Sequence, residues 1–350
     1  MPQPKVVIPA ADLSGFVTAL LTDAVAEPEH ARTIGEVLIW ASLRGVDSHG
    51  VARVPRYLEL LESGEANKAP QMRLDSGAAA VAVLDADRAP GPVALTTAAA
   101  EAATRARANG IGAVAVRRTV HTGAIGYYTS RLAGQGLIGI AFVAGMPNMS
   151  YTGVQGAAVA TSPLSIAVPA AGERPAVVLD MATAGIALGK IAQYRNAGRE
   201  LPEGVAATAD GVPTTDPALA KMPLPLGGAK GAAMSLVFEL LTSVLVGAPI
   251  LSSFHGGDPH GRTHRQNALL IALDPAAFGD PSVFTESVAT TLGTLKGLTP
   301  ADEQTEIRYP GEHSASVAAE REAKGIPVAG KVWAELEAAA GERGIAVPRV

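Results

Sequence analysis

Apolar residues recur at three- and four-residue spacing through residues 11–42, predicting two helices, Leu13–Val25 with Asp12 as its cap and His30–Leu43. Around 48–64 the pattern carries Pro55, which suits a helix that starts near it and stops at Gly64. From residue 78 the period changes. Short apolar runs rich in valine and isoleucine predict strands at Ala78–Asp85, Ile111–Val116, Leu137–Ala144, Leu164–Val168, Ala176–Leu179 and Ala268–Leu273. Between them lie helical stretches at Val93–Asn109, Ala124–Ala133, about Thr183 to Ala197, Lys230–Gly247 and Ser282–Leu295, and two more helices, Ala315–Ala323 and Trp333–Ala340, close the chain. Residues 198–228 carry five prolines and read as loop, and there is no internal repeat. Strands alternating with helices indicate an α/β layered fold.

Composition narrows the possibilities. The 350 residues are 48% hydrophobic and 17% charged, which excludes a disordered chain and allows a core large enough for two or three subdomains. There is no cysteine, so neither disulfides nor thiolate chemistry is available. The net charge of −5, without any lysine or arginine block, argues against nucleic-acid or membrane-surface binding. The start, Met1-Pro-Gln-Pro-Lys5, shows no signal-peptide pattern, so a cytoplasmic location is expected. Ala232–Leu251 is long enough to span a bilayer, but Glu239, Ser235, Thr242 and Ser243 predict a buried helix instead.

Ser48-His49, Arg53 and Tyr57 lie in Arg44-Gly-Val-Asp-Ser-His-Gly-Val-Ala-Arg-Val-Pro-Arg-Tyr57, with 49, 53 and 57 four apart. An imidazole, a guanidinium fork and a phenol on one helical face suit a small carboxylate, although a solvated face would look the same. His121 follows a strand in a run of small residues, where an imidazole is well placed for proton transfer. Asp180 and Thr183 follow another strand; they could receive ribose hydroxyls, cap the next helix, or both. Lys230, between glycines at a helix start, would attract an anion, and Arg308 could add a phosphate contact. His255, His260 and His264 sit in a loop with irregular spacing, a weak metal signal. A dinucleotide fingerprint should follow a strand and open a helix. The one literal match, Gly134-Gln-Gly136-Leu-Ile-Gly139, does the reverse, so any nucleotide must bind by another architecture. A hydrolase built on Ser48 lacks the nucleophile-elbow glycines.

Taken in order, these segments resemble the malate/L-lactate dehydrogenase family of the non-Rossmann type, which includes ureidoglycolate and sulfolactate dehydrogenases and piperideine-2-carboxylate/pyrroline-2-carboxylate reductases. The resemblance rests on the 44–57 segment, His121-Thr-Gly-Ala-Ile-Gly-Tyr-Tyr128, Gly136-Leu-Ile-Gly-Ile140, Leu179-Asp-Met-Ala-Thr183, Gly211–Pro217, Pro225-Leu-Gly-Gly-Ala-Lys-Gly231 and Pro310-Gly-Glu312. It implies a three-layer α/β fold with a mixed sheet and a helical subdomain from both termini (1–75 plus 315–350). An α/β core (76–120 plus 265–314) and a cofactor-binding domain (121–264) would complete the chain. It also implies a homodimer that binds NAD or NADP without the glycine fingerprint.

By the same resemblance His121 is the acid/base on the substrate oxygen or imine nitrogen, with Ser48 and His49 beside it. Arg53 and Tyr57 would hold the substrate, a small carboxylate. His49, Thr161, Ser162, Asp180, Met181, Ala182, Lys230 and Arg308 would contact the cofactor. The expected reaction is hydride transfer between nicotinamide and C2 of a small 2-hydroxy/2-oxo acid. The alternative is NADPH-dependent reduction of cyclic or N-alkyl imino acids. Three departures alter the pocket: Ser162 replaces the family's usual asparagine, Ala144-Gly-Met146 replaces an Asn-Ser pair, and Ala232 replaces an aromatic. They imply a larger or more apolar pocket, less suited to malate or lactate themselves.

Overall fold

The computed structural model describes residues 5–172, 174–263, 265–302 and 305–349; the Met1–Pro4 segment and His264 lie outside the described residues. The chain opens with β1 (Lys5–Ile8), α1 (Ala10–Thr22), α2 (Pro28–Leu43) and α3 (Val54–Glu62). Next come β2 (Arg73–Ala78), β3 (Val81–Asp85), α4 (Gly91–Asn109), β4 (Ile111–Thr119), α5 (Gly126–Ala133) and β5 (Ile138–Gly145). The middle holds β6 (Leu164–Val168), β7 (Val177–Met181), α6 (Leu188–Asn196) and the short pair β8 (Ala206–Ala207) and β9 (Met222–Pro223). It ends with α7 (Ala229–Glu239), α8 (Leu251–His255), β10 (Gln266–Leu273), α9 (Pro281–Lys296), α10 (Glu312–Lys324), β11 (Ile326–Ala329) and α11 (Gly330–Arg343).

Seven strands form one sheet in the order β2-β3-β4-β10-β5-β6-β7. Only β3 and β4 run parallel; the other neighbours are antiparallel, so the sheet is mixed. Alternate residues divide its two faces. Ala268, Leu270 and Ala272 of β10 pack with alanines of α4 and with Tyr128 and Leu132 of α5. Leu269 on the other face packs with Ala115 and Val246, and Phe142 of β5 meets Phe238 of α7 at 4.8 Å between rings. Helix, sheet and helix therefore make three layers. A second core joins α1, α2, α3 and α11, with β1 paired antiparallel to β11, and it buries Tyr57.

Several expected elements differ in extent. Helix α1 begins at Ala10 with Pro9 at its cap, and Asp12 lies in the first turn rather than capping. The strand β2 went unforeseen because every residue in it is exposed, leaving no alternation to read. The helix expected from Thr183 starts only at Leu188, because Ala184 bridges to Pro225 and the Gly185 amide donates to the Leu224 carbonyl, keeping 183–187 out of a helix. The Lys230–Gly247 helix is α-helical only to Glu239 and continues as a π turn over Leu240–Val244. There the buried Glu239 carboxylate accepts the Ile250 and Leu251 amides at 2.7 and 2.9 Å, turning the chain back into α8. Among the described residues no helix is long and apolar enough to cross a membrane.

One end of the sheet gathers the chemistry. The register pairs Gln266 with both Thr119 and Gly145, and Leu164 with both Phe142 and Met181. Thus the ends of β4, β5 and β7 and the starts of β6 and β10 share one edge. Gly91, at the start of α4, is packed so closely beneath that edge that a Cβ would sit 2.3 Å from the His121 carbonyl oxygen.

Candidate active site

His121 leaves the end of β4, and two aromatic rings fix it. The Tyr57 hydroxyl lies 3.0 Å from His121 Nδ1 and donates to the His121 carbonyl oxygen at 2.9 Å. The His49 ring stacks on His121 with centroids 5.9 Å apart and planes 22° from parallel. Tyr57 is only 1% exposed, so a residue expected on the substrate side of the cleft instead has its hydroxyl turned to His121. Burial pushes this phenol well above its usual range and Arg53 opposes the shift, so it stays protonated. Its single hydrogen has two acceptors. When that hydrogen lies on the carbonyl, the phenol oxygen can accept from a protonated Nδ1, leaving Nε2 to exchange a proton. The Gly123 amide also donates towards Nδ1, at 3.3 Å, which suits only the unprotonated nitrogen. The phenol can turn to serve either state, whereas the amide cannot.

The 44–57 segment is two tight 3-10 turns, Asp47–His49 and Val51–Arg53, that run into α3 at Val54. These turns fold back on α2, where the Val51 amide donates to the buried Ser42 hydroxyl at 3.0 Å. Ser48 Oγ lies 3.0 Å from His49 Nδ1. The Arg53 Nε donates to the Ser48 carbonyl at 2.6 Å, and among the described residues no carboxylate pairs with this guanidinium. Burial first, and then the Arg53 charge, lower His49 to about 4, so it is neutral at pH 7. Arg53 also acts on the Tyr57 hydroxyl, which puts the cation beside both rings. A groove of about 670 Å³ opens at this segment, lined by Ser48, Arg53, Gly189 and Gln193 on one side and by Pro327 and Val328 on another.

The second wall lies across the sheet edge. Thr183 donates its amide to the Thr161 carbonyl at 3.0 Å, and its own carbonyl accepts from Leu226 at 2.8 Å. Ser162 Oγ lies 3.1 Å from Ser235 Oγ of α7, both buried. Gly231 approaches the Thr183 carbonyl so closely that a Cβ would sit at 2.4 Å, which brings Lys230 to the same wall, exposed. Thr161, Ser162, Asp180, Met181, Ala182 and Lys230 are therefore brought together. Arg308 stands apart on an exposed segment beside β7, held by Glu306 at 2.6 Å and by His313 Nδ1 at 2.7 Å. Among the described residues no group of three histidines or carboxylates could hold a metal ion, and His255 Nε2 lies 3.0 Å from the Ala158 carbonyl.

Asp180 joins the two walls. Its Oδ2 accepts the Gly126 amide at 2.8 Å, so it serves the start of α5 rather than the helix that follows it in sequence. A Cβ on Gly126 would sit 2.7 Å from that oxygen and 3.1 Å from Trp40, so glycine is required here. Although Asp180 has substantial accessible surface, protein crowds its carboxyl at the cleft wall. That crowding raises it to about 6, with the Gly126 amide pulling the other way. The Thr183 hydroxyl is buried without a partner. A carboxyl, an orphan hydroxyl and an exposed ammonium on one wall fit a polyhydroxylated, phosphate-bearing ligand.

The family model for malate/L-lactate dehydrogenase matches residues 8–337. Ureidoglycolate dehydrogenase (NAD(+)) of Escherichia coli K12 is 32% identical over 323 residues, 90% of each chain. L-sulfolactate dehydrogenase of Methanocaldococcus jannaschii is 36% identical over 287 residues, 81% of this chain and 82% of that one. Its solved structure superposes with a TM-score of 0.87, covering 97% and 98% of the two chains at 31% identity. The Δ1-piperideine-2-carboxylate reductase from Pseudomonas syringae superposes at 0.85 with 28% identity, covering 96% and 100%.

The raised Asp180 carboxyl has a signed consequence. Its charged form is disfavoured in the folded chain, so stability is lost as pH rises from about 4 towards about 6 and is not regained above. Asp180→Asn can still accept the Gly126 amide. Thermal melts should show equal Tm values for variant and wild type near pH 4 and a higher Tm for the variant at pH 7; equal values at both pH values would refute the assignment.

Proposed function

The chain belongs to the malate/L-lactate dehydrogenase family, and on that premise we propose that it transfers a hydride between NAD and C2 of a small 2-hydroxy/2-oxo acid. The observation that carries this reading is the His121 ring held between Tyr57 and His49, beside an Arg53 guanidinium that no described carboxylate neutralises. Arg53 clamps the acid group through its unpaired fork. His121 Nε2 gives a proton to the substrate oxygen on reduction and takes it back on oxidation, while the Tyr57 oxygen accepts a hydrogen bond from the protonated Nδ1 and holds the ring's orientation. Neutral His49 and Ser48 line the floor without adding charge. Asp180, Thr183 and Lys230 fit the ribose hydroxyls and phosphates of the dinucleotide, which supplies the hydride when bound. Met181, Ala182, Thr161 and Ser162 shape that wall, and Arg308 would reach it only by leaving Glu306.

The name of the E. coli relative supports NAD over NADP, and a thermal-shift comparison of NADH with NADPH tests that choice. A second reading, reduction of a cyclic imino acid, draws support from the structural likeness to the piperideine-2-carboxylate reductase. Turnover of piperideine-2-carboxylate against pyruvate separates the two.

His121→Ala should lower turnover by at least about a hundredfold, the usual size of a general acid/base contribution, while NADH still binds; stopped-flow and fluorescence titration measure the two. Unchanged turnover would sink the role. Tyr57→Phe removes the phenol oxygen that can accept from Nδ1 while the Gly123 amide donor stays, which disfavours the imidazolium that reduction needs. The pH profile of kcat/KM for reduction should move down by roughly one unit, the worth of one charge-assisted hydrogen bond; an unmoved profile would deny Tyr57 its effect on the ring.

The homodimer implied by the family has a candidate surface. Val237, Leu240, Leu241, Val244 and Leu245 present a stripe along α7 and the π turn, with Leu245 66% exposed. A second copy covering this stripe would hide the apolar surface next to the wall that carries Lys230. Light scattering should show a dimer for the wild type and a monomer for Leu245→Glu; a dimer in both places the contact elsewhere.

A further inference from the structure

Among the described residues, three other than glycine hold a left-handed backbone: Asp87 at φ +48°, Arg88 at +58° and Arg118 at +59°. A side chain disfavours that region, so the surrounding structure has to impose it. All three lie together where β3 and β4 end. The Arg88 amide donates to the Arg118 carbonyl at 2.7 Å, and the Arg118 amide donates to Oδ1 of the buried Asn267 at 2.9 Å. One carboxylate fixes the side chains. Asp85 accepts from Arg118 Nε at 2.7 Å, from Arg117 Nε at 3.1 Å and from the Asp87 amide at 3.2 Å. Asn267 is itself anchored, donating to the Ala248 carbonyl at 2.8 Å. Strain held by this many contacts, three residues before His121, calls for a use beyond ending a strand.

The ladder shows what the strain does. Val116 of β4 faces Ala268 of β10 and Thr119 faces Gln266, so Arg117 and Arg118 together stand opposite Asn267. That is a β-bulge, with one residue more on β4 than on β10. Without it Arg118 would face Gln266, and the residues after it would turn to the opposite side of the sheet. With it, Thr119 points to the α4 side, where its hydroxyl donates to the Ala89 carbonyl at 2.8 Å. Three residues on, the Thr122 amide donates to the Gln266 side chain at 2.9 Å. The short stretch between those two anchors carries His121, whose ring then meets the Tyr57 hydroxyl.

We propose that Arg118 is a positioning residue for His121: its left-handed backbone makes the bulge that delivers the imidazole to Tyr57. This inference rests on the reading of His121 as the acid/base given above. The Asp85 contacts hold the two bulge residues in place, so the property that counts at position 118 is φ rather than charge. Glycine adopts that conformation freely, whereas a β-branched residue resists it most. A bulge that served the sheet alone would show this order in stability. A bulge that aims His121 shows it in the proton step as well.

Arg118→Gly and Arg118→Val both remove the guanidinium, so a difference between them reads the backbone alone. With pyruvate and NADH, kcat for Arg118→Val should lie at least about tenfold below that for Arg118→Gly, part of the roughly hundredfold that a displacement of about 1 Å costs. KM, and NADH affinity by fluorescence, should agree between the two within about twofold. In a His121→Ala background they should turn over equally, because a residue that acts through His121 has nothing left to position. In the free protein, the His121 ring-nitrogen resonances should stay in place in Arg118→Gly and move in Arg118→Val, a readout that needs no substrate. Should Arg118→Val fail to fold, Arg118→Ala replaces it with the same order expected. Equal kcat values, a difference that persists without His121, an effect on KM alone, or a lower Tm with unmoved His121 resonances each overturns the role of Arg118 while the acid/base reading stands. Full turnover by His121→Ala overturns that reading, and this inference with it.

Discussion

One buried hydroxyl organises the candidate site. Tyr57 belongs to the helical core built by both chain termini, whereas His121 belongs to the sheet, and the two contacts between them join these cores at the proposed point of proton transfer. An imidazole at the end of a strand would otherwise sample several rotamers and both tautomers. Here its own carbonyl and its own Nδ1 are read by one phenol whose ring is buried and whose hydroxyl hydrogen turns between them. Proton transfer needs that rigidity, because a displacement of about 1 Å between donor and acceptor costs orders of magnitude in rate. Gly91 and Gly123 matter for the same reason: a Cβ on Gly91 would strike the His121 carbonyl oxygen, and one on Gly123, whose φ is +72°, would press against Val37 of α2.

Electrostatics around this point is arranged by withholding partners rather than by supplying them. Most arginines near the core are matched by carboxylates or carbonyls, and Asp85 alone holds two. Arg53, at the cleft, holds the Ser48 carbonyl but among the described residues no carboxylate, and burial together with Arg53 keeps His49 neutral at physiological pH. A neutral, stacked His49 leaves His121 as the ring to which we assign the proton transfer. Across the cleft the crowded Asp180 and the orphan Thr183 hydroxyl store the same kind of unsatisfied capacity, suited to a ligand rich in hydroxyls.

Much of this was legible in the sequence. Valine-rich runs marked six of the seven sheet strands, and the reversed context of Gly134–Gly139 correctly refused a dinucleotide fingerprint: α5 ends at Ala133 and β5 begins at Ile138. What could not be read was anything set by long-range contact. The β2 strand has no buried face, so nothing in its composition distinguishes it from a loop. The pairing of β1 with β11 joins residues more than 300 apart. The helix expected after Thr183 was displaced by a bridge to Pro225. At the site, spacing suggested one helical stripe of 49, 53 and 57, whereas His49 and Arg53 end two separate 3-10 turns and Tyr57, on α3, faces inward to a histidine 64 residues away.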